Sequence, residues 1–244
     1  MATNPMHQFE VYKIGPEINL GGLNLSFTNA SLFMSISAIL ILTLLFFGTK
    51  KKSLIPSKIQ LVTELSYTFV AKMINDTAGS SAKSFFPFIF TLFMFVLFSN
   101  MVGMLPYSFT VTSHIIVTFV LAAIIFVGVT IIGFIKHGIR YLELFVPKGV
   151  PILLLPLIVV IEIISYLSRP VSLSVRLFAN MMAGHTMLKV FGGFVISLGL
   201  LGGWLPLSFS VALTGLEILV AFLQAYVFAI LTCIYLNDAL NLHH

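Results

Sequence analysis

Charge is scarce in this 244-residue chain. Asp, Glu, Lys and Arg make up 9% of it, against about 25% in soluble domains. Hydrophobic residues make up 59%, and mean hydropathy is +1.08. A water-soluble fold cannot hide that much apolar surface, so the composition predicts a polytopic membrane protein. Cysteine is limited to Cys233, which excludes an internal disulfide and a cysteine metal cluster. The chain has no Gly-rich phosphate loop, no Cys/His metal spacing, no nucleophile elbow and no nucleic-acid motif. No cofactor, no metal and no nucleic-acid partner are therefore expected, and transport fits better than covalent catalysis. Residues 1–28 are mixed polar, with Pro5, Gly15, Pro16, Gly21 and Gly22, and no signal peptide is expected there.

What is present is a series of long apolar runs, expected to form a single all-α membrane domain over 1–244. Helix 1 is predicted over 31–48, enough to cross about 30 Å of hydrocarbon. Residues 56–78 differ. Ile59, Val62, Phe69, Val70, Met73 and Ile74 recur at three- and four-residue steps, with Lys58, Glu64, Lys72 and Asp76 between them. That pattern predicts an amphipathic helix on the membrane surface; packing on other protein is the alternative. Helix 3 is predicted over 85–105, ending at Pro106, and helix 4 over 114–135, with an uncharged loop from Tyr107 to Ser113 between them.

Two segments hold Lys50, Lys51, Lys52, Lys58, Lys72, Lys83, Lys136, Arg140 and Lys148, whereas Lys13 alone lies on the other side. The positive-inside rule then puts the N-terminus outside and, after five crossings, the C-terminus inside. The last two runs, 150–201 and 204–238, are about 78 and 52 Å long as helices, too long to stand upright. A long, strongly tilted hairpin is expected, turning between Leu198 and Pro206, with a possible bend at Pro170.

Within residues 150–201 only Glu162, Arg169, Arg176 and Lys189 are charged. A permanent cation in lipid costs at least about 2.5–3.5 kcal/mol and marks a functional site by default. At about 100° per residue, Glu162, Ser165, Arg169, Ser172 and Asn180 fall within about 40° of Arg176, whereas His185 falls near 180°. Two polar sets on two faces suggest two separate aqueous pockets. On helix 6, the run 204–238, Glu217 and Gln224 are seven apart and share a face, and His185 of helix 5, the run 150–201, is a candidate proton-relay partner for Glu217. Structural readings stand beside these. Arg176 could pair with Glu162 or Glu217, Ser165 and Ser172 could simply bond backbone, and His185 and His114 could be packing residues. Glu162 could snorkel to the interface.

The run Ser168-Arg169-Pro170-Val171-Ser172-Leu173-Ser174-Val175-Arg176-Leu177-Phe178-Ala179-Asn180-Met181-Met182-Ala183-Gly184-His185 closely resembles helix 5 of subunit a of F-type ATP synthases. Glu217 to Phe228 resembles that family's last helix, and Asn100-Met101-Val102-Gly103-Met104-Leu105-Pro106 also matches; the resemblance covers nearly the whole chain. It implies a non-catalytic, proton-translocating stator subunit with two offset half-channels. Arg176 would face the ring of c subunits. His185 and Glu217 would line the outer half-channel, with Asn180 and Gln224 nearby and His114 at its mouth; Glu162 and Ser165 would belong to the inner one, with Ser172 along the same line. Many bacterial members carry the acid on helix 5 and the histidine on helix 6, so the swapped pair here resembles the mitochondrial and alphaproteobacterial type. The implied partners are the c-ring, the b subunit of the peripheral stalk, the remaining ATP synthase subunits, protons and lipid. The implied location is a bacterial inner membrane, or alternatively the mitochondrial inner membrane. No sodium-site feature stands out. A secondary transporter would need a central substrate site and often an internal repeat, and no convincing repeat is present. A passive scaffold is a poor fit to an intramembrane arginine.

Overall fold

The computed structural model of the chain describes residues 9–14, 19–20, 23–24, 26–50, 55–105, 108–146 and 154–241. Lys51, Lys52, Pro106, Tyr107, Lys148 and positions 150–153 lie outside them, as do Pro5, Gly15, Pro16, Gly21 and Gly22. The N-terminal segment folds back on itself. Strands β1 (Asn19–Leu20) and β2 (Leu23–Asn24) pair antiparallel, and Lys13 bridges to Thr28. Asn29 opens helix α1 (Asn29–Lys50), its Oδ1 accepting from the backbone amides of Tyr12 and Ala30 at 3.2 and 2.9 Å. Helix α2 (Lys58–Ala78) is capped by Ser57, whose hydroxyl accepts from the amide of Gln60. A 3-10 turn over Ser80–Phe85 leads into α3 (Phe86–Gly103), and a second over Val111–Ser113 into α4 (Ile115–His137). A 3-10 stretch over Gly138–Phe145 precedes α5 (Leu155–Gly202) and α6 (Trp204–Leu240).

Five of these helices, all but α2, are long and apolar enough to cross a membrane. The chain is an all-α polytopic membrane protein. Helix α6 lies at its centre, packed on α2, α3, α4 and α5. Lipid gives no hydrophobic reward for helix association, so close approach must come from small side chains. Ala221, Ala225, Ala229 and Cys233 recur every fourth residue on α6, all fully buried. Phe69 of α2, Phe93 of α3 and Phe222 of α6 form a ring cluster with centroids 5.6–6.1 Å apart. Asn100 on α3 is wholly buried; its Nδ2 donates to the Ala221 carbonyl at 3.2 Å and its Oδ1 accepts from Thr112 Oγ1 at 2.8 Å.

The structure corrects the expected face of α2. In its second half Val70, Met73 and Ile74 are buried as the spacing predicts. In its first half Gln60 and Thr63 face inward, while Ile59 and Val62 are each 49% exposed. Thr63 is drawn in by Gly48 of α1, where the missing Cβ leaves room for the threonine side chain. Helix α2 therefore packs on protein along its length and presents apolar residues outward at its start.

Pro170 does not break α5. It removes one amide, but the helix runs on, and the single non-helical residue inside it is Gly199, at φ 61° and ψ −160°. That left-handed conformation suits glycine and ends the helix proper, so the α5–α6 turn falls within the expected 198–206 segment. At the other end of the hairpin, Lys136 Nζ donates to the Leu240 carbonyl at 2.8 Å, and His137 Nε2 lies 3.1 Å from the same oxygen. Cations at a helix C-terminus offset its partial negative charge. The end of α6 thus meets the basic end of α4, opposite the α3–α4 loop.

Candidate functional site

Helix α5 is clamped through one line of side chains. Tyr166, Pro170, Leu173, Leu177 and Met181 are buried. At about 100° per residue that line lies about 100° from Arg176, and His185 lies beyond it at about 180°. The packed face therefore separates two polar sets. Tyr166 fixes the rotation: its hydroxyl is 2.7 Å from Thr130 Oγ1 of α4 and 3.0 Å from the Tyr141 hydroxyl.

On one flank, His185 Nδ1 stands 3.5 Å from Glu217 Oε1 of α6. Both side chains are almost wholly removed from the surface, at 11% and 5%. Neither Glu217 oxygen has a hydrogen-bond partner among the described residues. The other ring nitrogen, Nε2, is 3.0 Å from Thr110 Oγ1 in the α3–α4 loop. Gly184 makes the approach possible, because a Cβ there would stand 2.7 Å from Glu217 Oε1 and 3.1 Å from its Cδ. The group can hold one shared proton between imidazole and carboxyl, and it sits toward the end of the molecule opposite the basic loops.

His114 lies in the same loop, just before α4. Its ring stacks on Phe109 at 4.9 Å and 22°, and its Nε2 is buried without a partner among the described residues. Burial lowers its affinity for a proton below that of an ordinary histidine. No hydrogen bond or ring contact joins it directly to His185 among the described residues.

On the other flank, Arg176, Ser165, Ser172 and Asn180 are exposed and Glu162 is half-buried. Among the described residues Arg176 has no carboxylate partner, and Glu217 is engaged with His185 instead. The readings in which Arg176 pairs with Glu162 or Glu217 are therefore not what the structure holds. Arg169 departs from the expected line. Its side chain swings to α6, where Nη1 meets Asp238 Oδ2 at 3.2 Å, sandwiched at 5.3 and 5.1 Å by the rings of Tyr166 and Tyr235. Arginine's planar cation suits both contacts.

The two cross-helix pairs set the antiparallel register of α5 and α6. Between His185–Glu217 and Arg169–Asp238, interpolation puts Asn180 level with Gln224, which is 8% exposed, and Arg176 level with about residue 229. Arg176 thus lies about 13 Å along α5 from His185 and about 16–21 Å from Ser165 and Glu162. Of the expected residues the structure brings His185 and Glu217 together, and among the described residues Arg176, Asn180 and Gln224 make no side-chain bond to that pair. Sequence reasoning missed Thr110, Gly184 as a spacer, Asn100 as a clamp, and Asp238. The pattern Thr110-Val111-Thr112-Ser113 was the available hint, since hydroxyls in an uncharged loop need partners when buried.

The sequence model of the family described as ATP synthase A chain matches residues 31–237. The chain is 81% identical over 244 residues, the full length of both, to a protein named ATP synthase subunit a from Pelagibacter ubique (strain HTCC1062). It is 60% identical over 250 residues, again the full length of both, to the ATP synthase subunit a of Chelativorans sp. (strain BNC1). The protein of that name from Rhizobium rhizogenes (strain K84) is also 60% identical, across 99% of this chain and 98% of the relative.

Proposed function

The chain belongs to the ATP synthase A chain family, and from that premise we propose how its residues carry protons. The family is the proton-translocating stator subunit of the membrane sector, and this chain is a multi-pass membrane component of an ATP synthase complex. The proposal concerns the sites, the specific partners and the orientation.

The outer half-channel runs past His114 to Glu217 and His185, with Asn180 and Gln224 leading inward. The inner one runs by Glu162 and Ser165 along the exposed face of α5, with Ser172 between Ser165 and Arg176. The c-ring covers that face. One observation carries this reading: Arg176 is exposed on one flank of α5 with no carboxylate partner among the described residues, while the His185–Glu217 pair is buried on the other. A cation in lipid needs a partner, so its partner belongs to another chain. A proton delivered by the pair neutralises a ring carboxylate, which can then face lipid as an ion could not. Near Arg176 the fixed positive charge favours the ionised carboxylate, and the proton leaves by the inner pocket. The same cation bars direct passage between the pockets. The driving energy is about 2.3 kcal/mol per charge per 100 mV. The subunit lies in a bacterial inner membrane with its N-terminus outside, its C-terminus inside, and the b subunit beside it.

Cysteines at Ser172 and Asn180, paired with cysteines on the outer helix of the ring subunit, are expected to form disulfides in the intact complex. A cysteine at buried Leu177 is not. Equal yield from all three positions, or none from the first two, would remove the ring from this face.

Gly184→Ala is a second expected loss. The added methyl must push the Glu217 carboxyl away from His185, and a misplacement near 1 Å costs about ten- to hundredfold in rate. Proton-driven ATP synthesis in reconstituted vesicles measures it, with complex assembly as the control.

A further inference from the structure

The α3–α4 loop buries three hydroxyls beside Phe109 and Val111: Thr110, Thr112 and Ser113 are 5%, 3% and 4% exposed. Its hydroxyl protons can be assigned one by one. Gly103 is the last residue of α3, so its carbonyl has no amide partner within the helix. Ser108 Oγ lies 2.7 Å from the Leu105 carbonyl and 2.9 Å from that of Gly103; Thr110 Oγ1 lies 3.0 Å from Gly103. Carbonyls only accept, and each hydroxyl has one proton. The Leu105 carbonyl already accepts from the Ser108 amide at 3.1 Å, and the Gly103 carbonyl, with two lone pairs, can accept from the Thr110 hydroxyl whichever carbonyl Ser108 serves. With its proton on the Gly103 carbonyl, Thr110 Oγ1 offers His185 Nε2 a lone pair at 3.0 Å, and Nε2 is then the donor.

We infer that Thr110 is a positioning residue that holds His185 as the Nε2–H tautomer; the inference rests on the relay proposed above. A neutral imidazole is otherwise free to choose between two tautomers. Pinning Nε2–H turns the lone pair at Nδ1 toward Glu217 Oε1. The mobile proton therefore belongs to that edge, sitting either on the carboxyl and donated to Nδ1, or on Nδ1 and donated to the carboxylate. It reaches and leaves the ring through the same nitrogen. The Nε2 proton is a spectator, because the other hydrogen-bond partner of Thr110 Oγ1 among the described residues is the Gly103 carbonyl, which takes no proton. Two further contacts hold Thr110 in place. Its own carbonyl accepts from Ser113 Oγ at 2.6 Å and from the Ser113 amide at 3.2 Å. Its side chain tucks against Gly103, where a Cβ would stand 2.7 Å from Thr110 Cγ2 and 2.9 Å from Oγ1.

Nitrogen-15 solid-state NMR of the intact complex in lipid, with histidine labelled, tests this. His185 is identified by its loss in His185→Gln, and spectra are taken at alkaline pH with the ring neutral. Protonated Nε2 and bare Nδ1 are expected in the wild type; bare Nε2 overturns the inference. In Thr110→Val, which keeps the shape but offers no lone pair, the ring is expected to shift toward Nδ1–H and proton-driven ATP synthesis to fall about fivefold. Thr110→Ser should restore both. Unchanged ring signals and rate in Thr110→Val also overturn it, and if that variant does not assemble, the wild-type spectrum still decides. Normal synthesis by His185→Gln would sink the relay itself, a result distinguishable from failure of the tautomer assignment.

Discussion

Arg176→Ala is expected to abolish coupled transport, with ATP-driven proton pumping falling at least about hundredfold. A full charge beside a carboxyl shifts its proton equilibrium by about ten- to a thousandfold, and in the proposed mechanism that shift releases the proton to the inner pocket. The variant also loses the barrier, so passive proton leak should rise even as pumping fails. A residue that merely anchored helices would behave differently: its loss would weaken assembly without opening a leak. The structure already disfavours the anchor, since Arg176 has no carboxylate within its own chain among the described residues. Arg176→Lys is expected to fail as well. The ammonium gives up the planar fork, and unlike guanidinium it can lose its proton when desolvated. Inverted vesicles with a pH-sensitive dye measure pumping, and the same vesicles energised without ATP measure leak. Coupled pumping at the normal rate in Arg176→Ala would refute the role given to this residue.

Removal of either partner of the buried pair is expected to be nearly as costly. His185→Ala removes the imidazole 3.5 Å from Glu217 Oε1, in a site where neither buried oxygen has a hydrogen-bond partner among the described residues to take its place. Glu217→Ala leaves the imidazole facing an apolar gap. Each loss takes away a proton carrier, and positioned acid–base groups contribute about 10²–10⁴ in rate. The double variant His185→Glu with Glu217→His should recover more synthesis than either alanine variant, because one acid and one base still meet across α5 and α6. Recovery should be partial: Gly184 and Thr110 are shaped for the present arrangement. Proton-driven ATP synthesis at matched complex content is the measurement. If both alanine variants run at the wild-type rate, the relay is wrong.

The helices were legible because lipid imposes a length on apolar runs, and the long final pair could be read from its excess over the hydrocarbon thickness. The exposed stripe was legible for the same reason that α5 is regular: with no break at Pro170, a 100° projection stays true from Glu162 to His185. Three things were not legible. The inward face of α2's first half depends on a notch at Gly48 in another helix, which periodicity within α2 cannot reveal. Arg169 leaves its projected line because a long side chain can reach Asp238, 69 positions on, and aromatic rings to either side hold it there. Thr110 acquires its role only when a loop docks on a ring 75 residues away. Spacing reports which face a residue occupies, and contacts across that distance are decided by tertiary packing.

The bare cation on the outer flank of α5 also bears on how the complex is built. Before any ring is present, a newly inserted copy of this chain holds Arg176 against lipid at a cost of at least about 2.5–3.5 kcal/mol. Docking a carboxylate-bearing neighbour relieves that cost, worth about two orders of magnitude in the association constant. On the proposed mechanism, the charge that later governs proton release serves first as an assembly force, and the unassembled subunit is the less stable form.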